Sequence, residues 1–62
     1  MKEYRMYECK SIDQWREGKK DKVLLITNDL SEYIGALKLL NAINTSRDYL
    51  TQIWVICEEE EL

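Results

Sequence analysis

Between Asp29 and Asn44 the chain carries a helical apolar pattern wider than one packed face requires. At about 100° per residue, Leu30, Tyr33, Ile34, Ala36, Leu37, Leu39, Leu40 and Ile43 sweep roughly 220° of the helix circumference. A helix lying on a single core needs a stripe little wider than about 100°. The surplus calls for a second partner, most simply another copy of the chain.

The short length sharpens that requirement. Sixty-two residues hold one small core, and domains of this size bury only about 60% of their unfolded surface. Such domains usually need a disulfide, a metal or an oligomer interface. The sequence has no His and only Cys9 and Cys57, so a tetrahedral zinc site would need two carboxylates to complete it. Cys9 and Cys57 fall in the first and last predicted strands; one disulfide between them is an open alternative to reduced thiols packed as small hydrophobes. Oligomerisation is the favoured means of completing the core. No cofactor or metal is expected.

Organisation follows from punctuation. Residues 3 to 10 alternate, with Tyr4 and Met6 on one face and Tyr7 and Cys9 on the other, and their mixed charge predicts an edge strand. Ser11-Ile12-Asp13-Gln14 matches a capping box and opens a short helix that Gly18 ends. The continuous run Val23-Leu24-Leu25-Ile26 predicts a strand covered on both sides, at the centre of the sheet. Asp29 with Glu32 forms a second capping pattern, and Asn44-Thr45-Ser46 closes the long helix. A last strand is expected from about 49 to 58 around Ile53-Trp54-Val55-Ile56. The expected fold is α/β, a single domain over 1–62, in strand, short helix, strand, long helix, strand order. Strands two and three are expected as parallel neighbours joined by a crossover, the first strand's direction stays open, and residues 58–62 are expected as a flexible acidic tail.

Charge is divided unevenly. Through Lys22 there are seven basic and five acidic residues; from Val23 onward there are two basic and seven acidic, within a net charge of −3. The one basic cluster, Gly18-Lys19-Lys20-Asp21-Lys22, lacks the second glycine of a phosphate loop and precedes a strand rather than opening a helix. It reads as a solvated turn, with weak phosphate contact as the alternative. Thr27-Asn28-Asp29 occupies the strand-to-helix junction where open α/β sheets bind ligands. There Asp29 and Glu32 already offer carboxylates to the free amides and repel anions.

Catalysis has few means here. Without His, a neutral-pH base must be a shifted carboxylate, Lys or Cys, and both thiols lie beside glutamates that discourage the thiolate. The chain is therefore expected to be no enzyme and to have no catalytic residues. No signal-like leader and no apolar run of about 18 residues is present, which predicts a cytoplasmic protein without a membrane span.

The resulting expectation is a small acidic interaction protein that forms a homodimer and binds a larger protein, one with a basic surface being the natural match, in the manner of compact viral accessory inhibitors or regulators. Ala36, Leu39, Leu40, Ile43 and Trp54 are expected at the dimer interface. Trp15, Tyr33, Glu58, Glu59 and Glu60 are expected to meet the partner protein, since Trp and Tyr concentrate binding energy and an acidic row suits a basic groove. The alternatives are a small-molecule or nucleotide-sensing module, with its ligand near Thr27, Asn28 and Asp29 or at the dimer seam, and a weak nucleic-acid binder through Lys19, Lys20 and Lys22.

Overall fold

The capping signals locate the helices. In the computed structural model, which describes residues 1–62, Ser11 caps α1 (Ile12–Glu17) by accepting the Gln14 amide at 3.3 Å. Gly18 closes it in the left-handed region at φ 75°, a conformation glycine adopts without the steric cost of a Cβ. Asp29 caps α2 (Leu30–Thr45), its carboxylate taking the Ser31 amide at 2.9 Å and the Glu32 amide at 3.4 Å. Ser46 ends that helix, its hydroxyl donating to the Ile43 carbonyl.

Three strands, β1 (Lys2–Cys9), β2 (Lys22–Thr27) and β3 (Trp54–Glu61), form one sheet in the order β2-β1-β3. The α/β class and the element order are those expected. The arrangement of the sheet is not. β1 lies at the centre and pairs antiparallel with both neighbours, so β2 is an edge rather than the middle. β2 and β3 run in the same direction, but β1 separates them, which splits the expected crossover around an inserted strand.

The charges on β1 explain the difference. Lys2, Glu3 and Arg5 stand in register with Glu61, Glu60 and Glu58 of β3, and Glu8 stands opposite Lys22 of β2. Arg5 bridges two acids, holding Glu3 through Nε at 2.6 Å and also Glu60, while Lys2 reaches Glu59 at 3.5 Å. Lys2, Arg5 and Glu8 here face opposite charges across the ladder, and Arg5 bridges the like-charged pair Glu3 and Glu60. The glutamates at the end of the chain are accordingly strand rather than tail: Glu58 pairs with Lys20 at 2.6 Å, and Glu61 with the N-terminal ammonium at 3.3 Å. The expected first turn of the last strand is instead a 3-10 turn at Tyr49–Thr51, capped by Asp48 through the Thr51 amide.

Burial is concentrated on the α2 side of β1. Only Tyr4, Met6, Cys9 and Tyr33 are buried. Tyr33 of α2 stacks on Tyr4 with ring centroids 4.7 Å apart, and Leu25, Ala36, Leu37, Leu40 and Val55 pack around that pair and Met6. Offset aromatic stacking adds roughly 1 kcal/mol beyond the area removed from water. The other face of the sheet is covered at one end by α1 and carries the Arg5 network towards the other. No helix is long and apolar enough to cross a membrane.

Candidate functional site

Two apolar surfaces remain outside this small core. The first is a groove of about 280 Å³ between α2 and the β1–β2 half of the sheet. Ala36, Leu39, Leu40 and Ile43 line it from the helix, Met6, Glu8, Leu24 and Leu25 from the sheet, and Ile53 from the approach to β3. Leu39 stands on its rim, 65% exposed. Four of the five residues expected at a dimer interface thus come together, and Glu8 is the one charged group among the lining residues.

A bulge shapes this groove. Met6 is in register with Leu25 but Tyr7 with Val23, so Leu24 is the extra residue of β2. Consecutive strand residues normally alternate between faces, whereas here both Leu24 and Leu25 line the groove. Val23 and Ile26 point to the opposite face and are half exposed, at 53% and 52%. The apolar run that reads as a doubly covered strand is covered on one side only.

The second surface is aromatic and lies on the face of the sheet away from α2. Trp54, in register with Cys9, has the Trp15 ring 5.7 Å from it and the Tyr49 ring edge-on at 5.6 Å. The Trp15 indole N–H donates to the Val55 carbonyl at 3.0 Å, which anchors α1 against β3. Leu50 projects from the neighbouring 3-10 turn with 89% of its surface exposed. Trp54 therefore does not join Ala36, Leu39, Leu40 and Ile43; it belongs with Trp15. Tyr49 and Leu50 escape a reading of the sequence that places them in a strand, although the Asp48 and Thr51 spacing is a capping signal.

The remaining expected partner contacts are committed within the chain. Tyr33 is core, so it is withdrawn from the partner-facing set; burial against Tyr4, with the Cys57 thiol and the Glu59 carboxylate nearby, pushes its hydroxyl up to about 12. Glu58, Glu59 and Glu60 each hold an internal cation, Lys20, Lys2 and Arg5 respectively. They form a ladder of ion pairs rather than a free acidic row.

Most residues of the two alternative ligand positions have partners within the chain, Lys22 being the exception. At Thr27-Asn28-Asp29 the first α2 amides are taken by Asp29, and the Asp29 amide donates to the Thr27 hydroxyl at 3.0 Å. In the basic turn, Lys19 pairs with Glu17 at 3.3 Å and Asp21 with Lys10 at 3.6 Å. Lys20 contacts Glu58 and lies 4.8 Å over the Tyr7 ring. Cys9 and Cys57 are both free, and Cys9 is buried with its thiol pushed up by that burial and by Asp21 and Glu8. No three carboxylate or thiol side chains converge as a metal site.

No protein-family model matches the chain, and no curated protein or solved structure is significantly similar to it.

Proposed function

We propose that this chain is a non-catalytic, cytoplasmic interaction protein that self-associates and regulates or inhibits a larger protein by binding it. The observation that carries this reading is the imbalance of its apolar surface: four residues are buried, while eleven large hydrophobic side chains stand exposed. Single exposed hydrophobes are ordinary, but contiguous clusters mark binding surfaces. Five of the eleven fall at two places, Leu24 and Leu39 at the α2 groove and Trp15, Tyr49 and Leu50 beside Trp54.

The two surfaces support two roles. Aromatic residues in a partly buried cluster, with a protruding aliphatic beside them, have the makeup of a binding hot spot, so the larger protein is assigned to the Trp54 side and self-association to the groove. The glutamates are assigned to holding β3 on β1 rather than to a basic target. The raised, buried Cys9 thiol and the lack of His support binding over catalysis.

Affinity capture from the native cell, followed by mass spectrometry, tests the assignment when run beside a Leu50→Asp variant. Leu50 makes little contact with the fold, so circular dichroism should be unchanged. A protein captured by the wild type and lost from the variant is the expected result. Identical captured sets would remove the aromatic cluster from the binding role.

A further inference from the structure

We draw no further inference here: the strongest candidate, the apolar groove between α2 and the β1–β2 half of the sheet, has Glu8 in register with Lys22 at its sheet side, so no charge selects an occupant, and nothing in the structure shows what covers it.

Discussion

The two edges of the sheet are finished differently. Along β3 the outer side is occupied: the Trp15 indole takes the Val55 carbonyl, the Asn44 side chain bonds both backbone groups of Ile53, and four consecutive glutamates follow. Along β2 there are only the bulge and Lys22 at its start, and between Val23 and Thr27 no charge interrupts the apolar run. Unpaired edges invite pairing with other chains, and charge, cover and bulges are the means of discouraging it. β3 has two of these, and β2 has the bulge and a single charge, Lys22, at its start. The contrast shows where the surplus apolar surface of the chain has been placed, on the β2 and α2 flank, with a well-closed edge opposite.

The strongest way to break the contrast is to remove what closes β3. Deleting residues 58–62 takes away four of the eight register pairs between β1 and β3 and the acidic partners of Lys2, Arg5 and Lys20. With so small a core, this variant should show no cooperative thermal transition by circular dichroism. Asn44→Ala leaves both backbone groups of Ile53 without their partners, at 3.0 and 2.7 Å. Urea titration should show a loss of about 1–3 kcal/mol.

Trp15→Phe keeps a ring beside Trp54 but removes the donor to Val55; a loss near 1 kcal/mol is expected. Alkaline conditions also act on the β3 side. Tyr33 has an ordinary value of 10.0 and sits near 12 in the folded chain. The unfolded state therefore releases this proton first, so its contribution is complete below about pH 10 and is lost as pH rises through about 12. Tyr33→Phe should remove that part of the decline in melting temperature between those values. At the open edge the effect on folding should be smallest: Ile26→Thr, on a half-exposed side chain, should change stability by no more than about 0.5 kcal/mol.

What the sequence revealed and what it concealed follow one physical division. Local chemistry was legible. Ser11, Gly18, Asp29 and Ser46 act within a few residues of themselves, and the structure places each at the helix end that its pattern indicates. Pairing across the chain was not. The basic residues of β1, Lys2 and Arg5, have acidic complements more than fifty residues away in β3, so neither segment alone shows that it belongs beside the other. The apolar run of β2 misled in the other direction, because an apolar strand at a half-exposed edge reads like one buried on both sides.

The candidate surface divides in the same way. Ala36, Leu39, Leu40 and Ile43 share a helix, and their spacing alone brings them to one groove. Leu24 joins them through a bulge that period-two alternation does not anticipate. Trp54 is apolar enough for an interface, but its face depends on register with Cys9, which composition does not encode. Tyr33 lies within the same arc as Leu39, and only the position of Tyr4 selects it for the core.

The pairing of Lys2 through Cys9 with Glu61 through Trp54 also sets a timetable. Among the elements of residues 1–62, synthesis delivers the middle strand of the sheet before both of its neighbours, and β3 after α2. Until then β1 has one bare side, Lys2 lacks Glu59, and Arg5 has only Glu3 of its two acids. A strand left without one of its neighbours exposes an unpaired edge to other chains for as long as that neighbour is missing. The β1–β3 pairing brings Met1 and Leu62 together, with the Leu62 amide on the Met1 carbonyl at 2.7 Å.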